Sequence, residues 1–424
     1  MLKQQRIVGR FKYFFLAKRP FFLIFLITAF FVQCTHKKTE ELETKLTVVN
    51  QALKASSEYL QSMLKEDGMF VYRINMNPNV NFKNKYNILR HAGTIYALSM
   101  YNEMSPDVNI QHTIKKAAAY LRDKALLPVK GHDSLWAIWS IPEINGGNNP
   151  LTIKLGGTGL GLIALLCAEK IEAGFTPLDK LRALGKMIQF MQKEDGSFYS
   201  KYVPSEGGLI DKWVSRYYPG EAALAMVMLY EKDHSELWFQ TAYRALEYLA
   251  QSRQNSTNIP ADHWALLATE KILANANSNN VPIDKNLLIN HSLQICNTML
   301  GAQVNDPRRP DYDGGFNKNG TTCATATRLE GLLATLSFLP NSHPQYQEIR
   351  NSIDRGMSFL LNSQISEGQF IGAFPRAIGP LDGNRRMIVE FNFNQRATEV
   401  RIDYVQHAMS AMVNYNYILR SELH

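Results

Sequence analysis

The chain has 424 residues, 45% hydrophobic and 20% charged, so it holds enough apolar material for a large packed core and is not a disordered polymer. Its net charge of +8 resides in residues 1–38, which carry eight Lys and Arg and no Asp or Glu, leaving the remainder balanced. No basic run interleaved with aromatics occurs in that remainder, so no nucleic-acid partner is expected. Cys34, Cys167, Cys296 and Cys323 show neither CxxC nor Cys/His ligand spacing, so neither a metal site nor a disulfide framework is expected, and no cofactor motif is present.

In chain order, a basic stretch to Arg19 precedes an apolar run from Pro20 to Val32 and then Gln33-Cys34. Charge and length mark residues 1–34 as a membrane-targeting segment, and in every version of this reading the body lies outside the cytoplasm, in the cell envelope. Three forms stay open: a lipoprotein signal with Cys34 as lipidated residue, an uncleaved anchor, or a cleaved signal. Gln33 before the cysteine and Phe31 two places earlier depart from the usual lipoprotein pattern. Residues 35–45 read as a polar tether, and 46–424 as a single domain.

Beyond residue 45, amphipathic helical segments alternate with segments that are apolar all round. The first kind spans 46–64, 110–126, 176–193, 235–253, 285–303 and 345–364. The second spans 90–104, 158–173, 220–231, 262–274, 322–339 and 401–419. A helix apolar on every side must be buried on every side, whereas one with a polar stripe faces water. Six of each predict an all-α (α/α)6 toroid of six helical hairpins, an inner ring enclosed by an outer one. Turns from inner to outer helix are short. The returns are mostly long, with strand-like stretches at 70–75, 135–141 and 387–393 that predict small β-hairpins on one rim.

Several outer segments end in Gln followed by Gly and an aromatic: Gln192 to Gly196 and Phe198, Gln364 to Gly368 and Phe370, and the longer Gln303 to Gly314, Gly315 and Phe316. A glycine in a left-handed turn would end the helix, and the aromatic would pack beneath the next hairpin. These repeats resemble those of the α/α-toroid superfamily, which includes terpenoid cyclases and protein prenyltransferases and, more loosely, six-hairpin sugar enzymes such as glucuronyl C5-epimerases, polysaccharide lyases and unsaturated-uronyl hydrolases. The resemblance implies an architecture and no particular activity. The Asp-rich motifs of terpene cyclisation are missing, and neither the zinc ligand set nor the location suits a prenyltransferase.

In such toroids the inner-helix starts and long loops gather at one mouth, and the polar residues of this chain concentrate there. Candidate acid, base or proton-transfer residues are His91, Tyr218, Glu221, Asp262, His263, Asp403, Tyr404 and His407. Candidate substrate-binding residues are Arg90, Thr94, Trp264 and Arg401, an arginine fork suiting a carboxylate and an indole suiting a sugar face. Each also has a plain structural reading: Asp262 as helix cap, Glu221 as first-turn carboxylate, His91 as core histidine, and Asp403 with His407 as a buried network. The run Leu155-Gly-Gly-Thr-Gly-Leu-Gly161 lacks both GxGxxG spacing and a P-loop lysine, and reads as close helix packing. The expected function is an exported, membrane-tethered enzyme acting on a cell-envelope or uronate-containing glycan as lyase, epimerase or hydrolase. The alternative is a non-catalytic lipoprotein that binds a glycan or a protein.

Overall fold

The computed structural model describes residues 19–81, 85–147, 149–381 and 387–423, the side chains of 19–38 and 387–389 excepted. The expected targeting segment falls mostly outside this: residues 1–18 and the side chain of Cys34 are not among the described residues. Among the described residues no helix is long and apolar enough to cross a membrane. The chain parts into two compact units, Met1–Val48 with Ile418–His424, and Val49–Tyr417. In the first, the expected polar tether, residues 35–45, is part of the helix Arg19–Ser62, with Lys45 and Glu41 paired one turn apart at 2.9 Å.

The elements follow in the order α1 (Arg19–Ser62), β1 (Arg73–Asn75), α2 (Ile88–Met104), α3 (Val108–Ala125), β2 (Leu126–Val129), β3 (His132–Ser140), α4 (Pro142–Asn145), β4 (Thr152–Lys154), α5 (Leu155–Ile171), α6 (Leu178–Phe190), β5 (Lys201–Val203), β6 (Gly208–Ile210), α7 (Tyr218–Asp233), α8 (Glu236–Arg253), α9 (His263–Ala274), α10 (Lys285–Ala302), α11 (Thr322–Phe338), α12 (Tyr346–Asn362), α13 (Met387–Asn394), β7 (Glu399–Arg401) and α14 (Ile402–Leu423). Helices α2, α5, α7, α9, α11 and α14 are the near-apolar segments and are buried along most of their length. α2 packs on α5, α5 on α7, α7 on α9 and α9 on α11. The His407 to Glu330 hydrogen bond joins α14 to α11, and Gln406 of α14 lies against Gly93 and Thr94 of α2, which closes the inner ring.

Glutamine brackets hold the outer ring. Gln192 Nε2 donates to the Gly196 carbonyl at 3.2 Å and to Thr241 O of α8 at 3.0 Å. Gln303 Nε2 does the same with Gly314 O (3.0 Å) and Ser352 O of α12 (2.9 Å). Gln364 Nε2 reaches Ala52 O of α1 at 2.9 Å and Gly372 O at 3.3 Å. Gly196, Gly314 and Gly372 all sit at φ between 79 and 90°, a left-handed backbone that admits glycine at no steric cost. The buried aromatics two residues on are Phe198, Phe316 and Phe374. The third repeat is therefore completed by Gly372 and Phe374 rather than by Gly368 and Phe370, because the insertion before it forms a short 3-10 turn at Gly368–Phe370.

β2 to β6 form a five-stranded antiparallel sheet in sequence order, and β1 pairs with β7. The stretch 387–393, expected as a strand, lies in the helix α13. Phe393 packs with Ala377 and Ala397, and the Asn394 side chain binds the Leu381 backbone N–H at 2.7 Å and its carbonyl at 3.3 Å, so tertiary contacts override strand propensity there. β7, a few residues later, supplies the strand instead.

Candidate functional site

Three buried groups from three inner helices meet near the toroid axis. His407 Nδ1 lies 2.8 Å from Glu330 Oε2, and His263 Nε2 lies 3.7 Å from the same oxygen. The two imidazoles stand nearly perpendicular with centroids 5.4 Å apart. Trp264 forms their buried wall, 4.9 Å from His263 and 6.1 Å from His407. Tyr217, 37% exposed, has its ring 6.1 Å from His263, so the histidine lies one ring below the solvent-facing rim.

Neither ring nitrogen of His263 has a hydrogen-bond partner, though both are buried. A buried polar atom without a partner is costly and calls for an explanation. Burial, and after it His407, Arg328 and Arg90, hold the His263 ring well below the usual histidine range, so it is neutral. The side-chain atoms of His263, Glu330 and His407 lie within 4.8 Å of one another, a spacing that would also admit a divalent cation. Glu330 is already engaged by His407, so the cluster holds itself together through a hydrogen bond.

Glu221 enters in the first turn of α7, after Pro219. Its Oε2 is buried without a partner and occupies the space where a Cβ on Gly156 would stand, 1.8 Å away; a Cβ on Gly159 would come within 2.9 Å of the Glu221 carbonyl. The glycine run is therefore the surface on which α7 and its carboxylate rest. Burial raises the Glu221 carboxyl to about 7 against the opposing pull of Arg90, with Asp262 adding to the rise. Because the folded value lies above the ordinary 4.5, the group's contribution to stability is complete below pH 4.5 and is lost as pH rises through 7. Relative to Glu221→Gln, the wild type is expected to lose about 3 kcal/mol between pH 4.5 and 8.5 in paired urea titrations, and parallel pH curves would refute the assignment.

The remaining candidates fall into structural networks. Asp262 caps α9 through the Ala265 N–H (3.2 Å) and pairs with Arg253 at 3.0 Å. His91 is bracketed at both nitrogens, by Tyr86 Oη at 2.7 Å and Ala117 O at 2.9 Å, away from the histidine pair. Asp403 accepts both arms of Arg401 and lies 3.5 Å from Arg90 Nε. Tyr404 donates to Glu399 at 2.9 Å, a buried carboxylate also contacted by Arg73, Arg396 and Arg401. Thr94 Oγ1 lies 2.9 Å from Arg90 O and 3.3 Å from Gln406 Oε1, fixing the ring closure. Tyr218 flanks Glu221 above Gly156, and burial raises its hydroxyl to about 12. Arg401 is committed to Asp403 and Glu399, whereas the charge of Arg90, itself 3.5 Å from Asp403, acts on both Glu221 and His263, and Arg328 acts on His263 ahead of it.

Glu330, Gln406 and Arg328 are not among the residues that the helix starts point to. Glu330 stands two turns into α11. Its signal was available as a lone carboxylate in the apolar run Leu329 to Leu336.

Neither a protein-family model nor a curated protein matches the sequence. Solved structures do. D-mannose isomerase superposes with a TM-score of 0.61 at 12% identity over 88% of this chain and 97% of that one. Cellobiose 2-epimerase from Spirochaeta thermophila gives 0.62 at 12% identity over 90% and 98%. A GH76 α-mannanase from Bacteroides thetaiotaomicron gives 0.55 at 12% identity over 88% and 97%. Identity this low speaks to the scaffold alone, and by that scaffold the chain is an α/α toroid, the fold these sugar isomerases, epimerases and mannanases share.

Proposed function

We propose that the protein is a glycan-acting enzyme of the proton-transfer class, a sugar epimerase or isomerase. The observation that carries this is the pair His263 and His407, perpendicular and 5.4 Å apart, with Glu330 between them. Glu330 accepts from His407 Nδ1–H, which makes His407 Nε2 the acceptor, facing the Gln406 amide N–H at a long 3.4 Å that a substrate proton would displace. On an open-chain sugar, one imidazole removes the proton from the carbon next to the carbonyl, the C–H electrons move into an enediolate, and an imidazolium returns a proton to that carbon or its neighbour. The positive charge of Arg90, which acts on both His263 and Glu221, would offset the developing oxyanion. The imidazolium is the ring that took the proton: return to the opposite face of the same carbon, after the enediolate turns that face toward it, epimerises the carbon, and return to the neighbouring carbon, with the hydroxyl proton passing from one enediolate oxygen to the other, isomerises the sugar. A hydrolase would need two available carboxyl groups, and Asp262 and Asp403 are both tied to arginines. The neighbours named as epimerase and isomerase support the same class.

The test is incubation of the full-length chain in D2O with a panel of reducing hexoses, disaccharides and hexuronates. Deuterium at the carbon beside the carbonyl, undiminished by EDTA, is expected. New reducing ends without deuterium would point to hydrolysis, and saturable glycan binding without either product to a binding protein. We further propose export to the cell envelope with tethering through Cys34, on the strength of the basic stretch, the apolar run and the cysteine that follows. Palmitate labelling lost in Cys34→Ala supports this; unchanged labelling removes it.

A further inference from the structure

A cavity of about 310 Å³ lies beside the start of α5, lined by Lys154 and by residues of β3 to β6 and the loops between them. Its floor is one face of the five-stranded sheet. Lys154 of β4 is paired directly with Lys201 of β5, and Lys201 in turn with Ile210 of β6, so these side chains share that face. Directly opposed like charges destabilise an antiparallel pair. Among the described residues neither lysine has an ion-pair partner within 4 Å, although Glu206 also lines the cavity. Burial, and after it Lys201, lower the Lys154 ammonium. Trp213, 46% exposed, forms another wall: Lys201 Nζ lies 4.6 Å from its ring, and its edge meets Tyr218 at 5.7 Å. Tyr218 and Glu221 lean on the same Gly156, so this cavity adjoins the candidate site through one aromatic ring.

Two cations placed together at an energetic cost, in a cavity large enough for a sugar ring and walled by a half-exposed indole, match an anionic sugar. We propose that Lys154, Lys201 and Trp213 form a subsite for an acidic sugar residue, a carboxylated or sulfated ring adjacent to the one that reacts. This rests on the glycan-acting reading above and narrows the substrate to an acidic oligosaccharide. The lysines bind the acid group, and Trp213 covers an apolar sugar face.

Calorimetric titration of the full-length protein in detergent, at low salt, tests this with hexuronate trisaccharides, sulfated trisaccharides, their neutral counterparts, and inorganic sulfate alone. The expected result is at least tenfold tighter binding of an acidic trisaccharide than of its neutral counterpart. Lys154→Gln and Lys201→Gln each reduce that preference and the double variant removes it, while Lys→Arg at either position preserves it and neutral affinity stays unchanged. Trp213→Ala weakens acidic and neutral sugars alike. Whichever of the carboxylated and sulfated series binds tighter identifies the acid group. Equal affinity for acidic and neutral sugars, a preference that survives in the double variant, or inorganic sulfate binding as tightly as the sugars would overturn the proposal. Deuterium exchange is read separately. Turnover of neutral sugars without acid preference removes the subsite and leaves the enzyme. Acid preference without exchange on any sugar removes the proton-transfer reading and leaves the subsite.

Discussion

Asparagine at His263 or at His407 is expected to lower deuterium exchange into the sugar by 10² to 10⁴-fold, the usual share of a positioned acid–base group. Both rings are buried and share Glu330, so their losses should be far from additive: the double variant falls little below the worse single one. Glu330→Gln removes the carboxylate that receives His407 Nδ1–H and should shift the pH dependence of exchange as well as its rate, a readout that a purely structural role would not move. His91→Gln supplies the contrast. That ring is held between Tyr86 and Ala117, so its replacement should cost about 1–3 kcal/mol of stability and leave the rate per folded molecule unchanged. If His263→Asn and His407→Asn keep full activity while His91→Gln loses it, the site is misplaced.

The second large effect concerns the glutamine brackets. A methyl group on Gly314 would stand 2.1 Å from the Arg355 carbonyl oxygen and one on Gly372 2.1 Å from that of Ala55, and both glycines have positive φ. Neither neighbour is a flexible side chain that can step aside. Gly314→Ala and Gly372→Ala are therefore each expected to destabilise by about 3 kcal/mol or more, combining a left-handed backbone with overpacking. Gly131 has the same backbone sign (φ 83) and nothing within 4 Å, so Gly131→Ala should cost only the backbone part, about 1–2 kcal/mol. Denaturant midpoints measured side by side decide it: equal losses at all three positions would mean that the bracket geometry contributes nothing.

The hairpin architecture was legible because burial imposes a period on sequence. Helices enclosed on every side, such as Leu155–Ile171, cannot carry a polar stripe, whereas outer ones such as Tyr346–Asn362 must. One repeat went unread although the letters repeat: Lys65-Glu-Asp-Gly68-Met-Phe70 matches Lys193-Glu-Asp-Gly196-Ser-Phe198, and Gly68 and Phe70 take the same left-handed and buried roles. It escaped because Leu64 stands where the bracket glutamine would be. The site was legible only in part. His263, His407, Glu221 and Arg90 are helix-start residues, but sequence cannot tell which neighbours capture a charge. Asp262 and His263 are adjacent, yet one faces Arg253 and caps a helix while the other faces the axis. Similarly, Asp403 and Tyr404 diverge from His407 toward Arg401 and Glu399. Glu330 lay beyond the helix starts altogether.

Closure of the inner ring bears on how the protein comes into being. His407, Gln406 and Asp403 all belong to the last inner helix, and the pairing of Arg73 with Arg401 joins strands more than three hundred residues apart. A chain emerging from the ribosome can stack hairpin after hairpin, but the His263–His407 pair does not exist until the sixth hairpin docks. Interrupted synthesis would thus yield helical products without the histidine pair, and the emergence of the proposed activity would report on the completion of the circle.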